Sequence, residues 1–247
     1  MNTSDPLARP RRFYGAVETA VFDDGVRILL DGRNARTPKG AVIALPTPAL
    51  ADLVASEWAA QGETLDLQGM VATRLARTVI DGGETAAEAA REVVLRHGAS
   101  DLVCYFAEAP QTLVRRQEAV WGPLLAWANT EWGLDFVRAE GIVHRRQSEA
   151  TLARLAELMA LEDPYALVGL GLAAGLFGSA VVAMALRAGR LDAAGAMEAA
   201  RIDEVFQEEH WGVDEEAASR TAAMARDATV LEQWFGAIPS PLVRAGT

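Results

Sequence analysis

Cysteine is almost absent from this chain of 247 residues, which has only Cys104. No disulfide can therefore form within one chain, a composition that suits a reducing compartment. Cys104 lies in an apolar run at residues 102–106, where a buried thiol that packs as a small hydrophobe is expected. A nucleophilic thiol would need a nearby histidine or positive charge to lower its pKa, and the sequence identifies no such neighbour.

Basic residues are also scarce compared with acidic ones. The chain has 23 Lys plus Arg against 34 Asp plus Glu, which gives a net charge of -11. Most of such a surface repels DNA, RNA and anionic membranes, so we expect no nucleic-acid partner. A protein partner with basic or mixed patches is compatible with this charge.

The motifs of common catalytic and metal sites are missing. The sequence contains no His-Glu-x-x-His, Cys-x-x-Cys, phosphate loop or Gly-x-Ser-x-Gly. His97, His144 and His210 lack the spacing of metal ligands, although a site assembled from them in space stays open. We therefore predict no catalytic residue, no metal ligand and no cofactor.

Three glycines, Gly169, Gly171 and Gly175, imitate a dinucleotide-binding fingerprint. One residue too many follows the second glycine, and Arg187 and Arg190 stand where an acidic residue should contact the ribose. Close packing between helices is the better interpretation of these glycines.

A targeting segment is not visible, because no apolar stretch follows the basic residues near the N-terminus. We expect a soluble protein of the bacterial cytoplasm and consider the mitochondrial matrix less favoured. The uncharged run at residues 165–186 is long enough to span a membrane, which stays an alternative. Gly178 and Ser179 indicate a helix end and a helix start, so we predict two buried helices without stable membrane insertion.

Short strands and tight turns precede a mostly helical region. We predict strands at residues 14–18, 26–30, 35–37 and 42–45, and helices that start at Thr47-Pro48 and span residues 70–80. Asp81-Gly82-Gly83 is the candidate domain boundary. The predicted fold class is α+β, with a small β-rich N-terminal domain at residues 1–83 and a larger, mostly α-helical C-terminal domain at residues 84–247.

The most informative stretch is the helix that we predict from Asp192 to Trp211-Gly212. Its residues Glu204, Gln207, Glu208 and Trp211 share one face. We predict core contacts on the other side for Leu191, Ala194, Ile202, Val205 and Phe206. A solvated helix face, acid–base chemistry by the two carboxylates and protein recognition by acids with an aromatic anchor are all open interpretations of this face.

Short patterns at residues 13–212 resemble, in order and spacing, those of one family. They are Phe13-Tyr14, Leu30-Asp31-Gly32-Arg33, Thr37-Pro38-Lys39-Gly40, Glu57-Trp58 with Gln61, Met70 with Thr73, Leu75, Thr78, Ile80 and Asp81, Asp101-Leu102-Val103-Cys104-Tyr105, Gln117 with Trp121, Pro123-Leu124-Leu125 and Trp127, Ser179 with Ala185-Leu186, and Asp203-Glu204 with Gln207 and Trp211-Gly212. The family is the assembly chaperone for the alpha subunit of the F-type ATP synthase head, found in mitochondria and in some bacteria.

The resemblance implies a chaperone without catalytic activity that binds the free alpha subunit until it pairs with beta. It also ties function to an acidic residue that corresponds to Glu204. We therefore expect Glu204, Gln207, Glu208 and Trp211 to bind the alpha subunit. A small-molecule enzyme or ligand-binding protein with a cleft in the helical domain is the alternative.

Overall fold

The computed structural model describes residues 9–141, 145–212, 214–239 and 241. The chain divides into two compact units, Met1–Gly83 and Glu84–Thr247. Most of the strands lie in the first unit and most of the helices in the second, which confirms the predicted α+β class.

The first unit is built on an antiparallel sheet whose central strand is β2. The sheet contains β1 (Val17–Phe22), β2 (Gly25–Leu30), β3 (Arg33–Asn34) and β4 (Ala44–Leu45), and β2 pairs with the other three. Val26, Ile28 and Leu30 alternate along β2 into the core, as period-two patterning requires.

The third strand lies earlier in the chain than predicted. Asp31 and Gly32 alone form the turn, with φ of 48° and 74°, so that pairing resumes at once with Arg33 opposite Leu30. The predicted strand at residues 35–37 is reduced to one bridge between Arg36 and Val42.

Two helices complete the first unit, α1 (Pro48–Ala59) and the first part of α2 (Val71–Ala99). The Thr47 hydroxyl accepts a hydrogen bond from Leu50 N at 3.2 Å, which confirms the predicted helix start. Glu57 accepts from the backbone N–H groups of Ala72 and Thr73, each at 2.8 Å, and so caps α2. Burial raises the pKa of Glu57 above its usual value, and these hydrogen bonds offset only part of that rise.

The helix predicted over residues 70–80 ends at Gly83 as expected, where α2 is divided into two helical parts. Gly83 has φ 52° and ψ -136°, and helical structure continues on both sides of it. Glycine adopts this backbone geometry without the steric cost that a Cβ brings.

The second unit is mostly helical. Its helices are α3 (Gln111–Trp132), α4 (Glu149–Met159), α5 (Pro164–Phe177), α6 (Ala180–Arg187), α7 (Ala193–Ala200), α8 (Ile202–Trp211) and α9 (Glu215–Gly236), and the short strands β5 (Tyr105–Phe106) and β6 (Ala139–Glu140) pair in parallel. Ser148 and Asp214 cap the first turns of α4 and α9.

The long uncharged run folds as the two predicted helices. Gly178 ends α5 in a left-handed conformation, with φ 65°, and the Ser179 hydroxyl accepts from Val182 N at 3.0 Å to start α6. A Cβ on Gly171 would come within 2.9 Å of Ala90 Cβ, so close packing accounts for this glycine. Among the described residues, no helix combines the length and the apolar character needed to cross a membrane.

The single helix predicted from Asp192 to Trp211 is wrong, because the chain breaks at Arg201 between α7 and α8. Arg201 has φ -122° and ψ 19°. The break leaves the Ala199 carbonyl available, and Trp121 Nε1 donates to it at 2.8 Å. An indole buried in α3 thus satisfies a backbone group that a continuous helix would have used.

A buried ion pair joins three parts of the second unit. Arg187, at the end of α6, donates to Glu162 at 3.1 and 2.9 Å, and both side chains are fully buried. The same guanidinium donates to the carbonyls of Phe235, Ile238 and Pro239 at 3.1, 2.9 and 2.7 Å. Arg187 therefore fixes the end of α9 against α6 and the residues before α5.

We expect Arg187→Met to lower the free energy of unfolding by about 3–5 kcal/mol, because it leaves the Glu162 carboxylate buried without a cation. Urea unfolding monitored by circular dichroism measures this loss. Arg187→Met combined with Glu162→Leu removes both charges and should regain part of the stability. A single variant as stable as the wild type would contradict this assignment.

A second buried carboxylate, that of Asp101, caps α6. It accepts from Val103 N at 3.2 Å and from Val181 N at 3.0 Å, and the residue is fully buried. The pKa of Asp101 is raised to about 6, because burial raises it more than the hydrogen bonds from Ser179 and the backbone lower it.

The raised pKa makes stability depend on pH. The contribution of Asp101 is fully present below its unfolded pKa of about 4 and is lost as the pH rises through about 6. Asn at this position does not titrate. The stability advantage of the wild type over Asp101→Asn should therefore shrink by about 2 kcal/mol between about pH 4.5 and 7, measured by urea unfolding. A constant difference would show that Asp101 titrates normally.

Candidate functional site

Helix α8 is held at its first turn by a partly buried hydrogen bond to α3. Gln117 Nε2 donates to Asp203 Oδ1 at 2.6 Å, and Gln117 Oε1 accepts from Ala107 N at 2.8 Å. Gln117 is 1% exposed, and Ile202 beside Asp203 is 6% exposed. One buried amide therefore fixes where α8 begins.

The last turns of α8 make a more exposed contact with α3. Arg116 pairs with Glu209 at 2.8 Å, and its guanidinium lies 5.5 Å from the ring centroid of Phe206. His210 stacks on Phe206 with a centroid distance of 4.4 Å. The Arg116 guanidinium lowers the pKa of Glu209, mainly through the hydrogen bond. These contacts orient one side of α8 and leave the other in solvent.

Three of the four predicted site residues lie in solvent. Glu204 and Gln207 are exposed, and Trp211 is 80% exposed. Glu208 is half-buried because it pairs with Arg201. The structure therefore brings Glu204, Gln207 and Trp211 together as an open face and turns Glu208 toward the start of its own helix.

The predicted core side of this helix is largely wrong. Ile202 is buried, but Ala194 and Val205 are exposed, and Leu191 and Phe206 are half-buried. The break at Arg201 changes the direction of the chain, so residues of α7 and α8 do not share the single stripe that a continuous helix would present.

An apolar groove lies between α3 and α8, and the sequence did not reveal it. It has a volume of about 250 Å³ and is lined by Arg116, Ala119, Val120, Glu198, Ile202 and Val205. Val205 is one of the exposed large hydrophobic residues in the described part of the chain. The signal for this groove in the sequence was an apolar residue, Val120 or Val205, at a surface position of each helix. That signal could not show that the two valines lie close together, because α3 and α8 are distant in the chain.

Negative charge is concentrated around the exposed face. Residues 203–216 contain seven acidic residues and no Lys or Arg. Glu84–Thr247 carries 24 acidic and 14 basic residues, whereas Met1–Gly83 carries 10 acidic and 9 basic residues. The helical unit thus holds nearly all of the net negative charge.

The predicted absence of metal and nucleophile chemistry is compatible with the described side chains. Within the described ranges, no three His, Cys, Asp or Glu side chains are grouped so that they could hold a metal ion. His144 lies outside the described residues. Cys104 is buried, and burial together with the Asp101 charge raises the pKa of its thiol, which disfavours the nucleophilic thiolate.

Comparison with known proteins places this architecture in one family. The family model for the ATP12 chaperone protein matches residues 11–129. The mitochondrial protein atp12 of Schizosaccharomyces pombe is 25% identical over 230 residues, which cover 87% of this chain and 78% of that protein.

Solved structures agree over nearly the whole chain. Atu1473 of Agrobacterium tumefaciens, a candidate chaperone, has a TM-score of 0.86 and 39% identity, covering 92% of this chain and 86% of that one. Atp12 of Paracoccus denitrificans has a TM-score of 0.83 and 36% identity, covering 95% of this chain and 99% of that one. An aspartate-to-lysine variant of Paracoccus Atp12 gives the same TM-score and identity, over 92% and 97% of the two chains.

The two-unit α+β fold is shared with these solved structures over more than nine-tenths of this chain. The chain belongs to the Atp12 family of ATP synthase assembly chaperones.

The Gln117–Asp203 hydrogen bond at the start of α8 is open to test. We expect Gln117→Leu to lower the free energy of unfolding by about 1–3 kcal/mol, because Asp203 and Ala107 N both lose a buried partner. Amide hydrogen exchange within Ile202–Trp211 should accelerate. Arg116→Met is the matched control, since the exposed Arg116–Glu209 pair is screened by solvent and should change stability less. Equal losses would contradict the role given to Gln117.

Proposed function

We propose that this protein binds the free alpha subunit of the ATP synthase catalytic head and prevents its aggregation until it pairs with beta. The observation that carries this proposal is Trp211, 80% exposed beside Glu204 and Gln207 on a helix held by the Gln117–Asp203 hydrogen bond. Family membership supports a chaperone role in ATP synthase assembly. The choice of alpha as the partner follows the family resemblance of the sequence.

An exposed tryptophan on a held helix suits protein recognition. Tryptophan is enriched among the residues that dominate binding energy, since it buries a large rigid surface on contact. The helix is already ordered by Gln117 and Arg116, so little conformational entropy is lost on binding.

The charge of the face favours a partner with basic residues. Glu204 is exposed within a segment that has no Lys or Arg. Complementary charge accelerates encounter and disfavours wrong partners. A free alpha subunit exposes the surface that later contacts beta, and large apolar surfaces of that kind aggregate.

Chaperoning of this type needs no chemical step. The protein covers the aggregation-prone surface and is displaced by the correct neighbour, so ATP hydrolysis and a cofactor are not required. We place this activity in the bacterial cytoplasm, a location compatible with bacterial relatives of similar structure.

Charge reversal at Glu204 tests the site. We expect Glu204→Lys to weaken the complex with the alpha subunit at least tenfold and to abolish protection from aggregation, because it places a like charge against basic partner residues. Light scattering of separately expressed alpha and beta subunits measures protection, and gel filtration measures complex formation. Trp211→Ala should weaken the same complex through loss of apolar contact.

Glu131→Lys is the matched control, because Glu131 is an exposed acid of α3 away from the groove and from α8. It should protect the alpha subunit as well as the wild type does. Full protection by Glu204→Lys would refute the site, whereas failure of the wild type to protect alpha would refute the function.

A further inference from the structure

A second concavity lies on the first unit, remote in sequence from α8. It has a volume of about 560 Å³, and its lining includes Phe13, Tyr14, Arg33, Asn34, Arg36 and Trp58. We call it the aromatic pocket. Its volume falls within the range of sites that take small ligands or peptide side chains.

Two buried polar atoms of the lining residues have no hydrogen-bond partner among the described residues. They are Trp58 Nε1, a donor, and Asn34 Oδ1, an acceptor. Buried polar groups are almost always paired, so an orphan donor and an orphan acceptor in the lining of one pocket need an explanation. A peptide group offers both complements, because its C=O accepts and its N–H donates.

The rim of the aromatic pocket is basic, in contrast to the acidic chain as a whole. Arg33 and Arg36 are exposed, and neither forms an ion pair within the described part of the chain. The acid of the lining, Asp31, attracts Arg33 electrostatically, but its carboxylate accepts hydrogen bonds from the N–H groups of Gly15 at 3.0 Å and Ala16 at 2.8 Å instead. A ligand with carboxylates is therefore favoured at the two guanidinium groups.

Aromatic rings supply an apolar surface beside these cations. Phe13 is 71% exposed and packs edge-on against Tyr14 at a centroid distance of 5.3 Å. Tyr14 in turn contacts Trp58 at 5.6 Å and donates its hydroxyl to Trp58 O at 2.7 Å. The buried pair holds Phe13 in place, so an apolar side chain can pack on a ring that is already ordered.

We propose that the aromatic pocket binds an extended acidic peptide segment of the client subunit, with an apolar side chain on Phe13 and carboxylates at Arg33 and Arg36. The assignment of this segment to the client subunit rests on the proposed function, whereas the preference of the pocket for an acidic peptide does not. Together with the acidic face of α8, the protein then offers two client contacts of opposite charge.

Titration with acetyl-Asp-Leu-Asp-Leu-amide tests the pocket without any synthase subunit. The Trp58 indole N–H resonance, assigned through Trp58→Phe, should shift and saturate in a ¹H–¹⁵N spectrum. Arg33→Glu with Arg36→Glu should weaken binding at least tenfold. Arg9→Glu with Arg11→Glu is the matched control, because it reverses two exposed charges of the same unit outside the pocket and should leave binding unchanged.

A Trp58 resonance that does not move, or an Arg33/Arg36 double reversal that binds like the wild type, would overturn this proposal. An equal response to acetyl-Lys-Leu-Lys-Leu-amide would do the same, since the basic rim would then play no part. In the aggregation assay, the Arg33/Arg36 double variant should hold the alpha subunit at least tenfold more weakly. If the wild type does not protect the alpha subunit in that assay, the proposed function is contradicted. If the acidic peptide does not bind in the titration, the proposed role of the aromatic pocket is contradicted.

Discussion

The helical unit depends on the fully buried pairing of Arg187 with Glu162. One guanidinium satisfies a carboxylate and three carbonyls, and so joins the end of α6 to the end of α9. Helix α7 packs on both α6 and α9, and α8 follows α7 directly. The position of the exposed helix therefore rests on a charge pair that is stable only while all its partners remain together.

Helix α8 combines a fixed inner side with an open outer side. The partly buried Gln117–Asp203 hydrogen bond sets its position, and the exposed Arg116–Glu209 pair adds orientation at little energetic cost. Burial of Trp211 would have stabilised the free protein, but its ring stays in solvent. Tryptophan is also among the residues that most often dominate the binding energy of protein interfaces.

Local chemistry predicted much of this fold, and contacts between distant segments explain what it missed. Thr47, Ser148 and Gly178-Ser179 mark helix ends because caps act within a few residues. The break at Arg201 depends on Trp121, 78 residues away from the carbonyl that it satisfies, and no periodicity encodes that contact. The exposure of Glu204 and Trp211 was predictable from helix geometry, whereas the pairing of Glu208 with Arg201 was not. The assignment of residues 1–83 and 84–247 as two domains stays a prediction.

The distribution of charge limits how one client can be held. The helical unit carries a large excess of acids, while the first unit is nearly neutral and presents Arg33 and Arg36 beside aromatic rings. A client with only basic patches would gain no charge attraction at Arg33 and Arg36, and an acidic client would be repelled by the helical unit. On the proposal that each surface contacts the client, a partner with charges of both signs is favoured, because a wrong partner leaves at least one charge unmatched. Salt weakens each charge contact, so the exposed rings of Trp211 and Phe13 are the contacts that persist as ionic strength rises.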